Sequence, residues 1–115
     1  MFDLLKEVAC IHVVGSSEEI AKEYGYDSWI DYCHKKNRFT RNMDICPICK
    51  KPFTKENNAV GGHVLAEFGE LDSEGKLIYT ECVTPICNRC NVKAESQIKA
   101  FKVLKLRLCK VPPQK

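Results

Sequence analysis

The stretch Cys46-Pro47-Ile48-Cys49-Lys50-Lys51, with its counterpart Pro85-Ile86-Cys87-Asn88-Arg89-Cys90-Asn91, decides how this chain is read. Each Cys-x-x-Cys turn aims two thiolates at one point, the shape of a zinc knuckle, and two such turns complete the tetrahedral shell of a structural zinc ion. Cys46, Cys49, Cys87 and Cys90 are therefore the expected Zn²⁺ ligands. A doubled motif is far more specific than a single one, which leaves a redox pair or an iron site as the thinner alternatives. Thirty-seven residues separate the inner cysteines, enough to hold a β-hairpin between the turns. Coordination also stands in for core, so removing the metal should unfold this half of the chain.

Working outward, Asn57–Phe68 alternates apolar residues as a strand does, 69–76 (GELDSEGK) is a turn, and 77–84 (LIYTECVT) is rich in β-branched and aromatic residues. These predict a hairpin. Gly61-Gly62 inside the first strand marks a bulge or a place where a nucleic-acid backbone approaches, the bulge being the commoner meaning. Beyond the second Cys pair, Ala94, Ile98, Phe101, Leu104 and Leu108 follow a helical spacing and predict a long amphipathic helix that stops before Pro112-Pro113. Upstream, Ser16 or Ser17 caps a helix carrying Ile20 and Tyr24, and Trp29, Ile30, Tyr32 and Cys33 continue the pattern after a break near Gly25. Two short helices or one kinked helix fit equally. Leu4–Val14 is apolar enough for a helix or a strand.

At 115 residues, with 44% apolar and 29% charged residues, the chain has room for one globular domain and not for two. We read it as a single domain, 1–115, with an α+β fold: a helical extension over 1–40 and the zinc module over 41–110. Uncharged stretches such as Ala9–Ser17 are far short of the ~20 residues that span a bilayer, so no membrane role is expected. The N-terminus has acids in its first turn and no basic region before an apolar block, which points to a cytoplasmic protein. In a reducing compartment Cys10, Cys33, Cys82 and Cys109 need no partners and behave as small buried apolar residues. A second metal site from Cys10, His12, Cys33 and His34 lacks any Cys-x-x-Cys bite. Charge is uneven: segments 1–33, 34–55, 56–87 and 88–115 carry −5, +6, −5 and +7. A metal that gathers the two Cys pairs also gathers the two basic segments holding them, with Lys50 and Lys51 beside one pair and Arg89 beside the other. Such a surface suits phosphate backbones, or is simply a solvated face.

Cys46-x-x-Cys49, then Gly-Gly-His63-Val, then a strand ending in Thr84-Pro-Ile-Cys-Asn-Arg-Cys-Asn-Val-Lys93, resembles a treble-clef zinc protein of the HNH endonuclease type over about residues 45–105. The resemblance implies a ββα-metal unit built of knuckle, hairpin and C-terminal helix. It implies His63 as general base on a water, and Asn91 as a residue helping to hold a catalytic divalent ion such as Mg²⁺. Lys93 matches a frequent basic position that meets phosphate. A neutral imidazole can take a proton from water near pH 7, and a divalent ion can stabilise the leaving oxygen of a phosphodiester. His63 also admits a structural hydrogen-bonded role or a place as zinc ligand, and Asn91 admits a role in capping the helix. Two departures stand out. The family's carboxylate before the base is Gly62 here, and its asparagine on the second strand has no clear counterpart, Glu81 and Cys82 holding that neighbourhood. Glu81 or Glu67 could supply an oxygen from a shifted position.

Two functions follow from this sequence. One is a divalent-metal-dependent phosphodiester hydrolase acting on nucleic acid. The other is a catalytically inactive HNH-like zinc module that binds nucleic acid, or a protein partner that handles nucleic acid, as an inhibitor or accessory factor of a bacterium or phage.

Overall fold

A computed structural model describes residues 5–13, 18–92 and 100–111. They form an α+β fold around one five-stranded antiparallel sheet. In chain order the strands are β1 (Glu7–His12), β2 (Ala59–Leu71), β3 (Leu77–Cys87), β4 (Ala100–Leu104) and β5 (Cys109–Lys110). Their order across the sheet is β4-β1-β2-β3-β5. The helices are α1 (Glu18–Glu23), α2 (Trp29–Lys36) and α3 (Asn88–Val92), with 3₁₀ turns at Arg38–Asn42 and Lys105–Arg107.

β1 resolves the ambiguity of the N-terminal stretch. Val8, Cys10 and His12 are buried while Glu7, Ala9 and Ile11 are exposed, the period of two that a strand imposes. The expected hairpin is present, in register from Ala59↔Cys87 through Glu67↔Tyr79. Its irregularity falls between Glu67 and Leu71, around Gly69 at φ 82°, and not at Gly61-Gly62 as the sequence suggested. That pair is regular strand whose missing side chains admit neighbours on opposite faces. A Cβ at Gly61 would stand 2.5 Å from the Trp29 carbonyl carbon, and one at Gly62 would stand 2.3 Å from Ile86 Cδ1.

The break near Gly25 (φ 91°) separates two short helices. Ser28 caps α2 by accepting a hydrogen bond from the Asp31 N–H at 3.1 Å, and Asp31 pairs with Lys35 one turn on. One sheet face packs on α1 and α2 through Ala21, Trp29, Tyr32, Cys33, Val83 and Cys109. The other packs on the cysteine turns through Val8, Cys10, Val64, Ala66, Ile86 and Val103.

The long C-terminal helix is corrected. Ala94 and Ile98 lie outside the described residues, and from Ala100 to Lys110 the chain is strand, 3₁₀ turn and strand. The helical spacing of Phe101, Leu104 and Leu108 coexists with a two-residue alternation, Phe101 and Val103 facing in and Ala100 and Lys102 facing out. β1 offers an open edge, and pairing with it satisfies the backbone of 100–104 while burying Val103 against Val8. Helical periodicity alone carried no information about that edge.

Candidate metal centre and its surroundings

The first cysteine turn is a miniature hairpin. Lys50 N–H donates to Cys46 O at 2.9 Å, Cys46 N–H donates to Lys51 O at 3.0 Å, and Ile45 bridges Pro52. Lys50 takes φ 63°, the left-handed conformation needed to turn the chain back after the second thiol. The second turn begins at the last residue of β3 and runs into α3, so strand register fixes Cys87 and the helix fixes Cys90.

These elements bring Cys46, Cys49, Cys87 and Cys90 together, with all four sulfurs within 4.8 Å of one another. Zinc–sulfur bonds of about 2.3 Å in a tetrahedron hold sulfurs about 3.8 Å apart. Cys49 Sγ and Cys87 Sγ, one from each turn, lie 3.8 Å apart. Four soft thiolates at this spacing fit a structural Zn²⁺ and leave no open coordination position, so the cluster can hold a metal and is closed to substrate.

Asn57, which the sequence reading passed over, organises the second turn. Its side-chain oxygen accepts from Arg89 N–H at 2.9 Å, its own N–H is held by Thr54 Oγ1, and Asn88 N–H donates to Asn58 O. Burial alone would raise the Cys87 thiol, but hydrogen bonds from the Cys90 backbone and the Asn57 side chain bring it down to about 7. Cys46 and Cys90 are pushed up by burial. Buried Arg107 stands beside this group, donating from Nη2 to Ile45 O at 2.7 Å. Burial lowers its pKa while the Cys46 thiolate holds it up, and an arginine stays charged under such a load. Its charge would offset part of the excess negative charge that four thiolates place on a bound dication.

Comparison of the chain with protein-family models, with curated proteins and with solved structures finds no match. The residues must be read on their own geometry.

His63 and Asn91 are not brought together. His63 is 4% exposed on the α2 side of the sheet, its ring edge-to-face with Trp29 at 4.8 Å and its Nδ1 3.0 Å from Glu81 Oε1. Its Nε2 is buried with no hydrogen-bond partner among the described residues. Asn91 lies on the opposite side, where its Oδ1 accepts from His12 Nε2 at 3.0 Å. His12 is 2% exposed, and burial lowers its pKa from 6.5 against the stabilising bond to Asn91. The alternation of Val8, Cys10 and His12 was the signal for this inward-facing histidine. Of the expected phosphate contacts, Lys50, Lys51 and Arg89 are exposed around the cysteine cluster, and Lys93 lies outside the described residues. The four remaining cysteines are free and buried as expected. No described helix is long and apolar enough to cross a membrane.

Proposed function

We propose that this chain is a structural-zinc module with the treble-clef order of an HNH-like protein, and that it binds nucleic acid without cleaving it. The observation that carries this reading is the separation of the groups. Lys50, Lys51 and Arg89 are exposed beside the four-cysteine cluster, whereas His63 is sealed beneath Trp29 and is parted from Asn91 by the sheet. Cations held by a rigid metal-clamped turn can contact phosphates. A base must reach the water it deprotonates, and a ring with a buried, unpartnered Nε2 does not meet that requirement as it stands. At the position where the family carries a carboxylate, a Gly62 side chain would run into Ile86, which supports the loss of a divalent-ion site.

The test pairs a gel-shift titration with a nicking assay on supercoiled plasmid in Mg²⁺, Mn²⁺ or Ni²⁺. Zinc-loaded protein should shift DNA with an affinity that falls steeply with salt, and should not nick it. Lys50→Gln/Lys51→Gln should weaken the shift. Nicking that disappears in His63→Ala would overturn the binding-only reading in favour of a hydrolase.

A further inference from the structure

A second cationic feature, sharing no residue with the cysteine cluster, lies where α2 meets the C-terminal segment. One cavity of about 610 Å³ is walled by Tyr24, Tyr26 and Tyr32 with Lys36 and Lys110. A neighbouring cavity of about 290 Å³ is walled by Phe39 and Phe68 with Lys105 and a single acid, Glu70. Asn37, Leu108 and Lys110 line both, so the two form one groove over the β5 edge of the sheet.

The groove is held together by bonds within the chain. Asn37 donates from Nδ2 to the carbonyls of Leu106 and Leu108 and accepts from Phe39 N–H at 3.1 Å, which ties the 3₁₀ turn after α2 to the C-terminal segment. Tyr32 donates its hydroxyl to Lys110 O and stacks edge-to-face with Tyr26 at 4.9 Å. Phe39 keeps 41% of its surface exposed. Lys105 and Lys110 both hold their ammonium groups 5.6 Å from the Phe68 ring centre. Three lysines against one carboxylate, alternating with aromatic planes, match a ligand that itself alternates phosphates with planar rings. Duplex DNA offers the phosphates but keeps its rings stacked on one another, and an acidic peptide offers the charge without the rings.

We propose that this groove binds single-stranded nucleic acid, with bases stacking on Tyr26 and Phe39 and phosphates meeting Lys36, Lys105 and Lys110. The proposal rests on the nucleic-acid reading above and adds the class of strand and a second surface. Fluorescence anisotropy with a labelled twelve-nucleotide oligothymidine and with a matched duplex tests it on the full zinc-loaded chain. Phe39→Ala should weaken oligothymidine binding about 5- to 150-fold, the range that loss of one base–aromatic stack gives, and leave duplex binding unchanged. Lys105→Gln/Lys110→Gln removes two positive charges and should lower the salt slope for oligothymidine by about 1.4. Unchanged oligothymidine binding in both groove variants, alongside weakened duplex binding in Lys50→Gln/Lys51→Gln, would overturn the groove and leave the broader reading intact. Polyglutamate competing better than oligothymidine would also overturn it. If wild-type protein binds neither oligonucleotide, the nucleic-acid reading fails and the groove proposal with it.

Discussion

Adding one methyl group at residue 61 should separate α2 from the sheet. A Cβ there would lie 2.5 Å from the Trp29 carbonyl carbon, 2.6 Å from the Ile30 nitrogen and 2.7 Å from Trp29 Cβ. All three atoms belong to the start of α2 or lie directly on its backbone, so no rotamer change relieves the overlap and the helix itself must move. At Gly62 the same methyl group meets Ile86 at 2.3 Å, and the three nearest atoms all belong to that side chain rather than to backbone. Overpacking a core costs about 1–3 kcal/mol. Gly61→Ala, where backbone must yield, belongs at or above the top of that range, and Gly62→Ala, where a side chain must yield, within it. For a domain this size, about 3 kcal/mol corresponds to a fall in Tm of roughly 12 °C or more. Trp29, the only tryptophan, is 1% exposed and reports directly on the displaced helix. Urea unfolding followed by its fluorescence should show a lower midpoint and a red-shifted native spectrum for Gly61→Ala. A cost no larger than that of Gly62→Ala, with the native spectrum unchanged, would refute the backbone contact as the reason glycine stands there.

Further outcomes follow from the metal centre and the buried titratable groups. Wild-type protein should carry one zinc per chain by elemental analysis, and Asn57→Ala should lose it to a competing chelator about 10- to 100-fold more readily, since the Arg89 N–H and the Cys87 sulfur lose the side chain that orients them. His12 has a folded-state pKa below its ordinary 6.5, so the unfolded chain takes up its proton first as pH falls. Stability should be fully present above about pH 6.5 and decline below it, and urea midpoints at pH 7.5 and 5.5 should converge in His12→Asn. Burial pushes the thiols of Cys10, Cys33 and Cys82 up to about 12. Iodoacetamide at pH 8 should leave those three unmodified in the folded protein, as peptide mass mapping would read, and label them once urea unfolds it.

The parts of this molecule legible in its sequence are those whose cause is local. Two Cys-x-x-Cys turns specify a four-thiolate cluster because the bite is set by three peptide units, and the hairpin between them is announced by alternation and a turn-rich tip. Gly25 and the apolar stripe of α2 are likewise local signals, whereas the Ser28 cap of α2 was not read from the sequence. What escaped is what depends on a distant edge. Residues 100–104 carry both a helical and an alternating pattern, and only the unpaired side of β1 selects between them. The separation of His63 from Asn91 has the same origin. Adjacent strand residues point to opposite faces, so whether His63 or Gly62 faces α3 is set by what packs on each side. The bulk of Trp29 over Gly61 and of Ile86 over Gly62 decides it. Asn57 and Arg107 were invisible for a related reason, since their partners lie 32 and 62 residues away in the chain.

The strand order carries a consequence for how the molecule is made. β1, which precedes the hairpin by more than forty residues, is flanked by β2 and by β4, and β5 closes the far side against β3. The hairpin between the two cysteine turns is built from contiguous chain. β1 gains the partner on its second side only when residues 100–104 have been made. Asn37 and the Ile45 carbonyl likewise find their partners, Leu106 O and Arg107, only in that C-terminal part of the chain. One short segment, 100–110, thus closes both margins of the sheet, and a chain cut before residue 100 should leave the outer edge of β1 without its partner.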